Sequence, residues 1–140
     1  MPSTIGPIHK RDLLKLHFNG VPFTLPTSFY ASLHTASPSG GDQSTNEASY
    51  GGYTRKLIGR TTAEWSVYDS GGGVWVAELL TKIEFPNCSS GSGTYTHVGL
   101  GDSSAGAGTL RLWAVLSSPL VISADKTPRV IEGTLFNCEC

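Results

Sequence analysis

Residues 29–58 read FYASLHTASPSGGDQSTNEASYGGYTRKLI, and this stretch decides the fold. In its first part the apolar residues Phe29, Ala31 and Leu33 occupy every second position, which is the period of a half-buried strand. Residues 36–52 then contain few apolar side chains and many Ser, Gly, Asp and Asn residues, before a second alternating run begins. Loops longer than about 12–15 residues are uncommon in compact domains and are usually functional or disordered. We therefore predict two strands joined by an interaction loop that works outside the core.

Outward from this stretch, short β-forming runs alternate with turns rich in Gly, Ser, Asp and Asn. The clearest strand is 109–116, with a further short strand at 120–123, and its predicted core face consists of Leu110, Leu112, Ala114 and Leu116. The triple glycine at 71–73 lacks the spacing and the lysine of a phosphate-binding loop, so it predicts a hairpin turn. About eight such strands predict an all-β antiparallel sandwich or barrel. A jelly roll is one solution for eight antiparallel strands, and an immunoglobulin-like sandwich is the alternative.

One short N-terminal helix is predicted at residues 7–18. A proline suits its first position, and the Asn-Gly pair that follows suits its end. Its apolar residues are Leu13, Leu14, Leu16 and Phe18. We expect the leucines to close one end of the core and Lys10 and Arg11 to remain free to face a partner. The predicted organisation is an N-terminal arm with this helix at 1–28 and a single β-sandwich domain at 29–140.

Composition narrows the classes of function. The chain has 140 residues, with 10 basic residues against 11 acidic ones, and this balance predicts neither a nucleic-acid nor a membrane partner. Only 15% of the residues are charged, where soluble domains average roughly 25%. A surface poor in charge is easily desolvated against a partner. We therefore expect self-association, with a dimer favoured over a trimer.

Targeting signals and cysteines add two expectations. The N-terminus has no apolar run long enough for a signal peptide, so we expect the protein to be assembled from a cytoplasm. Cys88, Cys138 and Cys140 are an odd number and form no disulfide framework. The C-x-C pair lacks the partner cysteines of a zinc site. We expect all three thiols to be adventitious.

Catalytic constellations are weak. His34, His97 and Asp102 could be combined with a serine into a triad, but no nucleophile motif surrounds any serine. Glu78 and Glu84 could act as a carboxylate pair, but a presumed kink between them hides their separation. No histidines and carboxylates stand at metal-ligand spacing. We therefore expect no enzyme activity, no cofactor and no metal.

The aromatic residues allow two interpretations. A sugar-stacking platform could use Tyr50, Tyr53, Trp65, Trp75 and Trp113. Most aromatic residues in a β-sandwich of this size lie in the core, however, and we favour that interpretation.

Three segments carry a resemblance to a known family. They are SFYASLHTASP, then TNEASYGGYTRKLI, then THVGLGDSSAGAGTLRLWAVLSSP at residues 96–119. In order and pattern they resemble a family of small structural proteins of tailed bacteriophages, labelled tail-fibre-like or head-decoration proteins. The resemblance covers roughly residues 24–122. It is strongest to the jelly-roll type of cement protein known from a short-tailed Bordetella phage.

The resemblance implies a virion protein that binds the outer surface of a phage capsid and stabilises the shell by bridging neighbouring major capsid subunits. The alternative is a tail-fibre or baseplate module that binds a host receptor or glycan. The expected partners are the major capsid protein and a second copy of this chain. The residues predicted to bind the partner are Lys10, Arg11, Ser37, Asp42, Asn46 and Glu47.

Overall fold

Strand pairing organises residues 3–137, the part of the chain that the computed structural model describes. Within it lie one helix and ten strands. Their bounds are β1 Ser3–Ile5, α1 Pro7–Asn19, β2 Ser28–His34, β3 Lys56–Gly59, β4 Trp65–Asp69, β5 Trp75–Leu79, β6 Ile83–Glu84, β7 Gly93–Gly101, β8 Leu110–Ile122, β9 Arg129–Val130 and β10 Leu135–Asn137.

The strands form three antiparallel sheets. The largest has the order β1-β8-β7-β2-β3, the second has the order β10-β5-β4, and the third pairs β6 with β9. The predicted all-β antiparallel sandwich with one short helix is therefore confirmed. The jelly-roll connectivity stays a prediction.

The core lies between these sheets. Leu33, Val98 and Ala114 face it from the five-stranded sheet, Leu79 faces it from the three-stranded sheet, and Phe85 follows β6; all five are almost fully buried. In β2, alternation explains why Leu33 faces the core together with Phe29 and Ala31, because side chains two residues apart share one face of a strand.

The predicted leucine face of β8 is wrong at one residue. Leu112 pairs with Leu100 on the core face, but Leu110 pairs with Gly101, one step out of the regular register. The irregularity places Arg111 as an extra residue, as in a β-bulge. Leu110 consequently points away from the core and packs over Gly99, where it is still buried.

The N-terminal segment joins the sheet and then leaves it. β1 pairs with β8 as an outer strand of the five-stranded sheet. The helix is confirmed, but none of its residues is buried, so the prediction that its leucines belong to the core is wrong. The reason is geometric: Leu14 and Leu16 are two residues apart and therefore face different sides of the helix.

The long loop 36–52 was predicted to work outside the core, and this prediction is wrong in part. Four of its residues are buried: Pro38, Gln43, Ala48 and Tyr50. Ala48 and Tyr50 belong to the hydrophobic core itself. The loop is thus an ordered part of the fold, with an exposed rim.

Smaller predictions have mixed outcomes. The triple glycine forms the turn of the β4–β5 hairpin, as predicted. The strand predicted at 120–123 is instead the end of β8, which continues through Pro119. Cys88 is a buried free thiol, whereas Cys138 and Cys140 lie outside the described residues. Within the described part of the chain, no helix has the length and apolar character needed to cross a membrane.

Candidate functional site

Loop 36–52 is anchored by a buried glutamine. The Gln43 side chain accepts a hydrogen bond from the Ser103 N–H at 2.9 Å and donates to the Ser103 and Tyr30 carbonyls at 3.3 and 3.5 Å. Its backbone N–H donates to the Ala107 carbonyl at 2.9 Å. These contacts join loop 36–52 to the connection between β7 and β8.

Two glycines make room for this side chain. A Cβ atom on Gly101 would lie 2.1 Å from Gln43 Cδ, and one on Gly108 would lie 2.2 Å from Gln43 Oε1. Gly108 also has a φ of 54°, in the left-handed region that favours glycine. Gln43 is fully buried in the space that these glycines leave.

A buried ion pair also links loop 36–52 to the connection between β7 and β8. The Arg55 guanidinium donates to both carboxylate oxygens of Glu47, at 2.7 and 2.8 Å, and only 2% of its side chain is exposed. It also donates to the Ser103 carbonyl at 2.9 Å, and Tyr53 Oη donates to Glu47 at 2.8 Å. The hydrogen bonds that Arg55 donates to Glu47 raise the pKa of Arg55. The predicted partner residue Glu47 is therefore engaged inside the loop.

His34 ties the loop to β2. Its Nδ1–H donates to the Thr45 carbonyl at 2.8 Å, since a carbonyl can only accept, and Nε2 accepts from the Ser32 hydroxyl at 2.8 Å. Burial lowers the pKa of His34 below its ordinary value. The ring lies over Gly99, where a Cβ atom would come within 2.8 Å of Nε2. His34 is thus a structural histidine in its neutral form.

The exposed rim of loop 36–52 carries the other predicted partner residues of the loop. Asp42 Oδ1 accepts hydrogen bonds from the Ser44 N–H and hydroxyl at 2.8 and 2.6 Å, and these bonds lower the pKa of Asp42. Asn46 Nδ2 donates to the Ser37 carbonyl at 3.1 Å. The rim is therefore held in one shape by its own polar groups. Its binding role stays a prediction.

Helix α1 is tethered to the start of β8, next to the connection that binds Gln43. Asp12 accepts from Arg111 at 3.0 Å, and Arg111 also reaches Asp102 at 3.5 Å. Asp12 binds Arg11 at 2.7 Å as well, and the hydrogen bond from Arg11 is the main reason why the pKa of Asp12 is lowered. The predicted partner residue Arg11 is thus partly neutralised by its neighbour.

Apart from the half-buried His9, Asp12 and Leu13, α1 is open to solvent. Leu14 is 59% exposed and Phe18 is 81% exposed, and the exposed Lys10 lies one turn before Leu14. Among the described residues, Lys10 and Lys15 have no carboxylate within ion-pair distance. This helix presents basic and apolar side chains together, and Leu14 and Phe18 remain exposed within the part of the chain that the structure describes.

The residues considered for a triad have other partners. His34 and His97 lie directly opposite each other in the β2–β7 ladder, and the His34 ring is committed to Ser32 and Thr45. Asp102 accepts from the Thr109 N–H at 2.8 Å and from Arg111, and neither histidine is among its hydrogen-bond partners. The geometry therefore does not assemble the triad.

The two glutamates belong to different sheets. Glu84 on β6 binds Arg129 at 2.6 Å and Lys82 at 3.0 Å, and these contacts lower the pKa of Glu84 to about 2. Glu78 lies on β5, near the Tyr68 hydroxyl. A carboxylate with so low a pKa is unsuited to donate a proton near neutral pH.

The aromatic residues are dispersed. Tyr50 is buried and donates to the Pro86 carbonyl, Tyr53 stacks on Phe85 in the core, and Trp113 packs against His97 on the outer face of β8. Tyr50 and Tyr53 contact each other edge to face at 5.3 Å, and Trp65 and Trp75 share a face of the three-stranded sheet. No platform of all five residues forms.

The structure is an antiparallel sandwich with an ordered loop rim and an N-terminal helix that exposes apolar and basic side chains. A family model described as podophage GP4 fiber I protein gp80 matches residues 6–136. The chain belongs to this family and is a structural protein of the bacteriophage virion. No curated protein matches the chain.

Proposed function

We propose that this protein binds the outer surface of the phage capsid and bridges neighbouring major capsid subunits, so that the shell resists opening. The observation that carries the proposal is α1. Its exposed Leu14 and Phe18 lie beside Lys10 and Lys15. The ion pair between Asp12 and Arg111 fixes the helix to β8. An apolar and basic surface of this kind suits an acidic partner, because its charges steer the approach and its apolar groups gain burial.

Bridging requires two contact surfaces on one rigid body. Here they are α1, which Arg111 holds at the start of β8, and the exposed rim of loop 36–52, which Gln43 holds to the connection between β7 and β8. Two modest contacts on a rigid frame reinforce each other, since the second contact forms at a high effective concentration. Neither contact requires catalysis, and we propose that the protein acts by binding alone.

The description of the family favours a second candidate. In this candidate, the protein is a tail-fibre or baseplate module that binds a host receptor or glycan. In that case α1 would be the mounting element, and the loop rim would face outward.

Copy number separates the two candidates. The protein band in purified virions is quantified against the major capsid band, with a tail protein of known stoichiometry as the internal reference. A copy number comparable to that of the major capsid protein supports the capsid proposal. A copy number that matches the tail reference refutes it in favour of the fibre module.

A further inference from the structure

Strand β4 is an open edge. It pairs with β5 on one side, and no strand among residues 3–137 pairs with its other side. The Ser70 N–H donates to the Val74 carbonyl, and the Leu80 N–H donates to the Glu64 carbonyl, both at 2.8 Å. In an antiparallel ladder, residues alternate between bonding the partner strand and facing away from it. The backbone groups of Val67 and Asp69 therefore point outward, towards the open side.

An apolar groove lies beside this edge. It runs between the five-stranded and three-stranded sheets, has a volume of about 460 Å³, and is lined chiefly by Phe29, Arg60, Trp65, Val67, Leu112 and Phe136. Val67 and Trp75 share the groove face of the hairpin, yet they are 65% and 62% exposed. The strand has no lysine, proline or bulge of the kind that protects an edge from pairing.

The charges at the two ends of β4 are opposite. Arg60 stands at the groove mouth, with its guanidinium 5.3 Å from the centre of the Phe29 ring and a hydrogen bond to the Pro26 carbonyl. Among the described residues it has no carboxylate within ion-pair distance. At the far end of the strand, Asp69 accepts from the Gly71 N–H and has no basic side chain within that distance in the same part of the chain. Among the described residues, Arg60 thus lacks an acidic partner and Asp69 lacks a basic one.

We propose that β4 pairs antiparallel with β4 of a second copy, across a two-fold axis at Val67. Trp65 and Asp69 lie two residues on either side of Val67, so this register sets Asp69 of each copy opposite Trp65 of the other. Asp69 then reaches the mouth at which Arg60 lies, and the two contacts are identical by symmetry. The three-stranded sheets merge into one sheet of six strands. Trp75, beside Asp69 in the ladder, covers the groove of the other copy.

This interface is independent of whether the protein sits on the capsid or on the tail. It uses the open edge of β4 and the groove beside it, whereas the proposed virion contacts use α1 and the loop rim. Backbone pairing supplies a row of hydrogen bonds, and the side chains of alternate residues supply specificity, as in other cases of strand addition.

Charge exchange tests the proposal. The mass of the purified protein is measured by analytical ultracentrifugation over a series of concentrations, and we expect a dimer for the wild type. Asp69→Arg and Arg60→Asp each place like charges together and should weaken the dimer by roughly tenfold or more. The double variant D69R/R60D restores opposite charges and should restore the dimer. A monomeric wild type, or a double variant no tighter than the single ones, overturns the proposal.

A second variant tests the same interface while Arg60 and its hydrogen bond to the Pro26 carbonyl stay intact. Val67→Pro removes an N–H that points outward, so it leaves the β4–β5 ladder intact while it blocks pairing to a second copy. We expect a folded monomer with an unchanged far-ultraviolet circular dichroism spectrum. The matched control is Val121→Lys, because Val121 is 65% exposed on β8, away from this edge. A dimeric Val67→Pro variant, or a monomeric Val121→Lys variant, contradicts the assigned interface.

Discussion

Gln43 occupies the space that the missing side chain of Gly101 leaves, and this pairing gives a sharp prediction at the scale of single residues. Gly101→Ala places a Cβ atom within 2.1 Å of Gln43 Cδ, so it should expel the glutamine and lower the free energy of unfolding by about 1–3 kcal/mol. Gln43→Ala should cost a similar amount, because it leaves the half-buried Ser103 N–H without its acceptor. Urea unfolding measures both costs.

The double variant Gln43→Ala with Gly101→Ala supplies the control. Without the glutamine the new methyl group has space, so the two costs should not add. Strictly additive costs would show that Gly101 matters for its own backbone and not for Gln43.

His34 gives a prediction about pH. Burial lowers its pKa, and the charges that face it are Glu47, Arg55 and His97, of which only Glu47 favours protonation. The unfolded chain therefore takes up a proton at a pH at which the folded protein does not. Stability should be full above about pH 6.5 and should fall as the pH drops below that value, with a slope of at most about 1.4 kcal/mol per pH unit for this histidine.

Urea unfolding at several pH values between 5 and 8 tests this slope. His34→Gln should make the dependence shallower, even if it also lowers stability at every pH. The pKa values of His97 and His9 are lowered too, so part of the slope should remain. A slope that is identical in the variant would assign the effect to those two histidines.

Local sequence predicts some of these residues and not others. The period of two placed Phe29, Ala31 and Leu33 correctly, because strand alternation depends only on neighbours. Gly99 and Gly101 lie two residues apart in a strand, and such a pair indicates that other side chains pack closely against that face. The sequence predictions above do not include this packing. The pairing of Glu47 with Arg55 also depends on how the loop folds back, which no local pattern encodes.

At the scale of elements, α1 shows why a helix can be predicted while its orientation is not. Pro7 and the Gly20 end fix the limits of the helix, and Gly20 adopts a φ of 64° with its N–H bonded to the Lys15 carbonyl. Which face of the helix is buried depends on the side chains that the neighbouring sheet places against it. The ion pair between Asp12 and Arg111 holds α1 to β8, and Arg111 is placed by a bulge that pattern alone does not reveal.

The exposure of α1 leads to the next prediction. Leu14→Ser with Phe18→Ser should leave the thermal unfolding midpoint almost unchanged, since neither side chain is buried. The same variant should lose association with the virion, because burying each side chain against a partner is worth about 1.5–3 kcal/mol. Co-sedimentation with particles that lack the protein measures binding, and Val121→Ser on β8 is the matched control. A fall in the unfolding midpoint would instead place these residues against the chain's own core.

At the scale of the whole molecule, one sandwich carries the two proposed contact surfaces, α1 and the rim of loop 36–52, so binding and bridging can be tested separately. A variant with one element disabled should still bind the capsid through the other, but it should no longer join two subunits. Replacing loop 36–52 outright is unsuitable, because Gln43 and Tyr50 are buried parts of the fold. Ser39→Glu with Ser49→Glu alters only exposed residues of the rim and adds charge to a surface that is poor in it. We expect this variant, and Leu14→Ser with Phe18→Ser, each to bind stripped capsids more weakly than the wild type.

The decisive measurement is the temperature at which capsids release DNA in the presence of saturating protein. The wild type should raise this temperature, because each bound molecule must be released from two subunits before the shell opens. Either single-element variant should fail to raise it, even at concentrations that restore full occupancy. If a fully bound variant still stabilises the shell as the wild type does, one contact is sufficient. The protein would then decorate the capsid without bridging it.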